Sequence, residues 1–425
     1  MFNVKLFFSI HQNWKEASKL GIFLSICTLF APTSSGSDSF YRLLAKAAET
    51  YPLVDARRRA ASAAAFDKSV AEWAYYPSLS YSTEDRLEGK AQIVTRIDMP
   101  LLSFGRLASN ASASEAALNS SRLSIEEVQL EVMLDVTNAY FALLSSTQRR
   151  VVASQNVAEH KRLMAIIDRR VEATASPKAD LMLAQARLQL AASNLIEVDN
   201  EIQIARARIE QYIGSYEGDV SVPAGLGPVS EFKGLVDMAV ANSPTLRRLK
   251  SDEQVLSARQ AEQYADLRPE FSLGYEKRKG SFQLFQRDEE QVFVTFRYVT
   301  GAGMSKWASA KAAEQRAQAA QMISHSTERE VRNTVQKLWS AYHTYVRQAD
   351  VLADLVTASK SVVDSYLRQY IVGRKSWLDV MNAQREWTSA RLAEMSNLAE
   401  KTGAHVSIQL YTGELGLDRW VNNSE

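Results

Sequence analysis

One cysteine, five histidines, nine prolines and 17 glycines are spread over 425 residues, and each scarcity excludes something. The cysteine, Cys27, sits in an apolar run near the N-terminus. A mature chain starting near Ser37 would hold no thiol, hence no disulfide framework and no thiolate metal site. The histidines (His11, His160, His325, His343 and His405) are scattered without ligand spacing, so neither a metal centre nor a catalytic constellation can be assembled. A formal net charge of +1 leaves no bulk field to gather nucleic acid or acidic lipid. The basic runs Arg57-Arg58-Arg59 and Arg247-Arg248 read as solvated helix faces. Length alone would suggest two or three globular domains, but long Ala/Leu/Glu/Arg/Gln stretches with few breakers point to long helices and coiled coils instead. The apolar run Leu20 to Phe30 is too short to cross a bilayer. With Lys15 and Lys19 before it and small residues from Ala31 to Ser39 after it, it reads as an export signal over residues 1–36. Leu24-Ser25-Ile26-Cys27 only faintly suggests a lipoprotein site, because Ile26 is bulky and the apolar run continues past the cysteine.

The chain says nearly the same thing twice. Pro52 and Pro77 return 192 residues later as Pro244 and Pro269. Glu131-Val132, Val136, Arg169, Asp180 and Ala184-Gln185 return 199 residues later as Glu330-Val331, Val335, Arg368, Asp379 and Ala383-Gln384. A repeat this long is a duplicated half-domain, and the seven-residue slip belongs in a surface connection.

Each half reads as helix, β-hairpin, very long helix, returning helix. The first (37–213) has a helical pattern over 39–74 and a hairpin over about 77–102. Leu79, Tyr81 and Thr83 alternate there with Ser78, Ser80 and Ser82, and Ile93, Thr95, Ile97 and Met99 with polar residues. The second (231–413) repeats the device over about 269–300. Phe271, Leu273 and Tyr275 alternate with Ser272, Gly274 and Glu276, and Val292, Val294, Phe296 and Tyr298 with Phe293, Thr295 and Arg297. The charged turns are Glu84 to Lys90 and the longer Lys277 to Glu290, where the seven extra residues fit most simply. Four strands cannot close a barrel, but four from each of several subunits would, with the apolar face toward lipid and the polar face toward water. Helical patterns at 105–171 and 303–370 would each reach roughly 100 Å at ~1.5 Å per residue. They return through short turns as 177–213 and 376–411, with a linker at 214–230 and a tail at 414–425.

On this plan, and on Tyr370-Ile-Val-Gly373-Arg-Lys375-Ser-Trp-Leu-Asp379-Val380, the chain resembles the TolC family of trimeric outer-membrane channels over essentially the whole mature sequence. The first-repeat counterpart, Val171 to Leu181, carries Thr174 where the family usually has the glycine that Gly373 supplies to the second turn. The stretch Gly373 to Arg385 is most like channels serving type I secretion, especially of large adhesins. The resemblance implies a mainly α fold with a β part: a trimer with a twelve-strand barrel in the outer membrane and an α-helical tunnel in the periplasm. It also implies a periplasmic adaptor and an inner-membrane transporter, of ABC type for secretion, as partners. No cofactor, no nucleic acid and no enzymatic step are expected. Small-molecule or drug efflux through the same architecture is the alternative. A soluble coiled-coil scaffold is a distant one, disfavoured by the export signal and the paired hairpins.

The resemblance places Asp180 and Tyr370 where polar links hold the periplasmic tip shut. Lys375 stands where arginine is usual, keeping the charge without the bidentate fork. Ala179 replaces a hydroxyl residue, Asp379 falls at an acidic pore ring, and Asn382 stands where some relatives have a second one. Both aspartates also read as first-turn residues after Ser176-Pro177 and Ser376, where a carboxylate complements the helix dipole. Trp73, Tyr75, Tyr76, Tyr298 and Trp307 flank the hairpins as an interfacial aromatic belt or as junction packing. Trp339, Trp377 and Trp387 read as helix-packing residues. Gly301-Ala-Gly303-Met-Ser-Lys306 lacks phosphate-loop spacing and reads as a strand-to-helix junction, like its partner Ser103-Phe104-Gly105-Arg106.

Overall fold

A computed structural model describes residues 37–86, 90–279 and 289–415. The expected export signal with Cys27, the tips of both hairpin turns and the end of the tail lie outside the described residues. The helical pattern at 39–74 is two helices, α1 (Ser37–Thr50) and α2 (Pro52–Trp73). Pro52 forces the break: it has no N–H to donate, and it holds Tyr51 extended at φ −66°, ψ 129°. Strands β1 (Ser78–Arg86) and β2 (Lys90–Leu102) follow, then α3 (Arg106–Glu172) and α4 (Lys178–Ile213). The second half runs α5 (Phe232–Asn242), α6 (Pro244–Ala265), β3 (Glu270–Lys279), β4 (Glu289–Arg297), α7 (Ser305–Ile371) and α8 (Trp377–Thr412). The duplication is kept to the residue in three pairs of helices, 22 in α2 and α6, 67 in α3 and α7, 36 in α4 and α8, while α1 has 14 residues and α5 has 11.

The four strands form one antiparallel sheet in the order β1-β2-β3-β4. Three residues separate the paired Arg86 and Lys90, whereas ten separate the paired Arg278 and Glu289, so the seven-residue slip sits in the second hairpin connection. Because side chains alternate along a strand, register decides what shares a face. Leu79, Ile97, Tyr275 and Val292 stand in one row across all four strands, and Met99, Leu273 and Val294 in the next. The opposite face carries rows such as Ser80, Arg96, Glu276 and Gln291. Within the chain, β1 and β4 are edges.

The long helices pack side by side: α3 on α4 and α8, α7 on α8, with α6 lying along both α3 and α7. One core gathers Phe40, Tyr140, Phe141 and Leu44 from α1 and α3, their rings 4.7 to 5.6 Å apart. The linker at 214–230 is tied to it by the Tyr140 hydroxyl, which donates to the Ser221 carbonyl and accepts from the Ser221 N–H, both at 2.9 Å. A second core joins Leu163, Ile167, Tyr370, Trp377 and Met381 next to the helical turns. A third joins Leu235, Val335 and Ile408 beneath Trp339. Each such buried large apolar side chain contributes ~1.5–3 kcal/mol. By contrast Met182, Leu190 and Ile196 on α4, and Met322, Val351 and Leu355 on α7, remain exposed on faces the single chain does not cover.

Candidate functional site

No group of His, Cys, Asp and Glu that could hold a metal ion occurs among the described residues, and none of their helices is long and apolar enough to cross a membrane. Three regions carry the residues that bear on function: the sheet, its junction with the helices, and the helical turns at the far end.

On the apolar face of the sheet Leu79, Tyr81, Val292, Val294 and Phe296 are exposed to more than half their area. The polar face holds a charged cluster. Arg96 donates to Asp98 at 2.7 Å and lies 3.7 Å from Glu276, which also accepts from Arg278. Glu276 is 5% exposed, so its carboxylate is buried with two guanidinium partners. Phe293 is the one aromatic ring described on this face. It lies against Gly274, whose missing Cβ would stand 2.4 Å from the ring, and Arg96 sits 5.1 Å from the ring centroid. Alternation predicts the face of each of these residues but not their union, because Arg96 and Glu276 meet only through pairing between the two halves.

At the junction, Arg106 bonds Glu270 at 2.6 Å and Lys306 reaches Asp266 at 2.8 Å, locking the starts of α3 and α7 to the approach to β3. Lys306 is therefore engaged in an ion pair within a strand-to-helix junction. Phe104 and Gly105, like Gly303 and Met304 199 residues on, take positive φ to turn the chain. Trp73, Tyr75, Tyr76, Tyr298 and Trp307 are all exposed around this level; junction packing does not cover them.

At the turns the two halves coincide again. Thr174 takes φ +56° and Gly373 φ +77°. Ala175 N–H bonds Arg170 O at 2.7 Å, and Arg374 N–H bonds Gln369 O at 2.9 Å, the 6→1 bonds that close a helix on a left-handed residue. The following starts differ. Ser376 and Asp379 form a capping box: Asp379 N–H donates to the Ser376 hydroxyl at 3.2 Å, and the carboxylate accepts from the Ser376 N–H at 3.0 Å and hydroxyl at 2.8 Å. These bonds hold the Asp379 carboxyl below its ordinary range, with the Lys375 charge adding to them. Asp180 has no such partner, because Pro177 replaces the capping hydroxyl. Ser176 does not cap; its hydroxyl bonds Tyr370 Oη at 2.9 Å and accepts from Arg170 at 3.3 Å.

Tyr370 is buried, 5.1 Å from the Trp377 ring, with Arg170 stacked at 4.9 Å over its face and bonded to the Ile371 carbonyl at 3.3 Å. Lys375 lies 4.4 Å over the Tyr366 ring. Within one chain the structure thus joins Tyr370 to Ser176 and Arg170; the Asp180 N–H donates to the Pro177 carbonyl at 3.0 Å, and its carboxylate has no hydrogen-bond or ion-pair partner among the described residues. The sequence offers Ser176 only as a helix start and does not single out Arg170 or Tyr366, because their contacts with Tyr370 and Lys375 arise where the ends of α3 and α7 meet the turns. Trp377 packs as expected.

Residues 43–215 match the outer membrane efflux protein family. No curated protein is significantly similar to the chain in sequence. The fold is that of several solved outer-membrane proteins, among them the outer-membrane channels OprN and MtrE. OprN aligns with a TM-score of 0.76 at 18% identity, over 88% of this chain and 90% of its own. VceC of Vibrio cholerae aligns with a TM-score of 0.77 at 12% identity, over 88% and 96%. The open state of the Neisseria gonorrhoeae MtrE channel aligns with a TM-score of 0.71 at 17% identity, over 88% of each chain.

Proposed function

We infer that the chain is a member of the outer membrane efflux protein family and works as a passive, trimeric conduit across the outer membrane, its helices forming a tunnel in the periplasm. The observation that carries this reading is the sheet: one face apolar and exposed across four strands, the other charged, and both edges open. In lipid every edge N–H and C=O needs a partner, so the sheet is stable only when closed by further copies. Three copies give twelve strands, the arrangement implied by the TolC resemblance. The exposed aromatics at the sheet–helix junction fit the membrane interface.

The cargo we propose is protein, exported by a type I system through a periplasmic adaptor and an ABC-type inner-membrane transporter. The stretch Gly373 to Arg385 supports it. Small-molecule efflux is the second reading, favoured by the match of residues 43–215 to an efflux family. At the tip, Asp180, Tyr370 and Lys375 act as the periplasmic gate, Gly373 shapes the turn, and Asp379 sets cation preference. The free carboxylate of Asp180 supports a contact outside its own chain, while the capping box leaves Asp379 the weaker pore candidate.

Planar-bilayer recording tests the conduit. The purified protein should give discrete conductance steps, and the triple variant Asp180→Ala/Tyr370→Phe/Lys375→Ala should enlarge them, although each exposed charge pair alone is worth only ~0–1 kcal/mol. Asp379→Ala should chiefly lower cation selectivity. Absence of steps overturns the channel reading; unchanged steps in the triple variant remove these residues from the gate. Deletion of the gene should abolish export of a large protein and leave drug susceptibility intact; the reverse result establishes efflux.

A further inference from the structure

Alternation gives the polar face of the sheet to small and charged side chains, and Phe293 breaks that pattern. The duplication shows how far it departs. Through the offsets of 192 and 199 residues, the Gly274–Phe293 pair of β3 and β4 corresponds to the Ser82–Val94 pair of β1 and β2. At one place in the register the second half thus has a glycine for a serine and an aromatic ring for an aliphatic side chain. The two differences depend on each other. A Cβ on Gly274 would meet the Phe293 ring at 2.4 Å, so the ring takes the volume that the glycine leaves free. Arg96 holds the ring from another side, 5.1 Å from its centroid, and is itself fixed by Asp98 at 2.7 Å and Glu276 at 3.7 Å.

Stability does not account for a ring at this position. The Ser82–Val94 pair keeps the same register without one, and Glu276 has two guanidinium partners, Arg96 and Arg278, that do not need it. Phe293 is seated but only half-buried, and an aromatic ring turned to water forgoes part of the burial that favours it. The charges around it are matched, two guanidinium groups to two carboxylates, so the patch does not sort ions by sign. It offers a π face and a guanidinium plane, the surfaces on which aromatic groups stack.

We infer that Phe293, seated by Gly274 and backed by Arg96, is a cargo-contact residue on the inner wall of the barrel, where it stacks on aromatic side chains of an unfolded polypeptide in transit. The inference rests on the channel reading above, in which the polar face lines water, and adds to it which groups of the cargo the wall holds. Gly274 and Phe293 lie midway along β3 and β4, and three copies repeat the patch at one level. Twelve strands ~4.8 Å apart and tilted ~40° enclose a barrel roughly 24 Å wide between backbones. Three patches on such a wall leave the conduit open, while a chain threading it passes within side-chain reach of them. One aromatic pair slows a segment about twofold to tenfold without stopping it.

Current blockades in planar bilayers test the contact. A short water-soluble Gly/Ser peptide carrying two tryptophans, or the same peptide with alanines in their place, is added on the side of the hairpin turns, so that neither has to pass the helical tip. In wild type the tryptophan peptide should block the conductance steps about twofold to tenfold longer than the alanine peptide. Phe293→Leu, which keeps apolar bulk without the ring, should make the two durations equal, and Phe293→Tyr should preserve the difference. Steps of wild-type size in both variants show that the barrel has assembled. Equal durations in wild type, a difference that survives Phe293→Leu, or one that is lost in Phe293→Tyr overturns the contact and spares the channel reading. Absence of steps in wild type overturns both.

Discussion

At the scale of single residues, two backbone positions are held against or by sterics. Thr174 does the work of a glycine: a β-branched side chain at φ +56° costs ~1–2 kcal/mol, and its hydroxyl recovers only a local bond to the Ala173 carbonyl at 2.7 Å. Thr174→Gly should therefore raise stability by about 1 kcal/mol, glycine's extra unfolded-state entropy offsetting part of the gain. The reciprocal Gly373→Thr should lower it by about 1–2 kcal/mol. Denaturant titration of the solubilised protein reads both. Gly274 is the opposite case, a residue made necessary by its neighbour. Gly274→Ala drives a methyl into the Phe293 ring, which must leave its seat and lose the Arg96 guanidinium beside it. Overpacking of this kind costs ~1–3 kcal/mol. A lowered melting temperature in Gly274→Ala, restored by adding Phe293→Ala, is the expected outcome; no restoration would mean the strain lies elsewhere.

At the scale of elements, the 199-residue offset reproduces helix length, turn geometry and closing hydrogen bonds, yet the two returning helices start differently. One substitution explains it: Ser376 offers a hydroxyl and an N–H to Asp379, whereas Pro177 offers neither to Asp180. The Asp379 carboxyl is held below its ordinary value by the Ser376 bonds. The charged form is the one stabilised, so the contribution is complete above the ordinary carboxylate range and fades as pH falls through and below about 4. Hydrogen exchange at the start of α8 should thus quicken in Asp379→Ala at pH 7, and wild type and variant should converge at strongly acid pH. A difference that persists there would assign the effect to something other than the charge.

At the scale of the whole molecule, acid sensitivity nearer neutrality should come from His160 and His405. Both are buried on helices, in α3 and α8, and burial is the main cause that lowers the pKa of each. At His160 the Arg187 charge acts in the same direction and Glu159 opposes it. At His405 a Gly227 backbone bond and Glu414 oppose the burial. For a lowered histidine the unfolded chain takes up the proton first. Stability is therefore full above the unfolded value near 6.5 and declines as pH falls toward the folded pKa. The melting temperature should drop between pH 7 and pH 5, and the double variant His160→Gln/His405→Gln should flatten that slope. An unchanged slope would move the titration to exposed groups.

The sequence by itself determined the duplication, the order of hairpin, long helix and returning helix in each half, and the face each strand residue takes, while it read residues 39–74 as the one helical pattern that Pro52 divides in two. These follow from periodicity, proline sterics and residue types, all of which act within a few neighbouring positions. It placed Gly373 and Asp379 at the turns, and left open whether that aspartate caps or lines a pore. Tertiary structure alone decided that Tyr370 bonds Ser176 rather than Asp180, that Ser176 is drawn away from capping, and that Arg96, Glu276 and Phe293 form one cluster. Those pairs lie between about 180 and 200 residues apart in the chain, or depend on one that does. Alternation tells a strand which side to show but not which strand to join. The partner is chosen only when two distant segments bury their polar groups against each other, and that free energy has no local trace in the sequence.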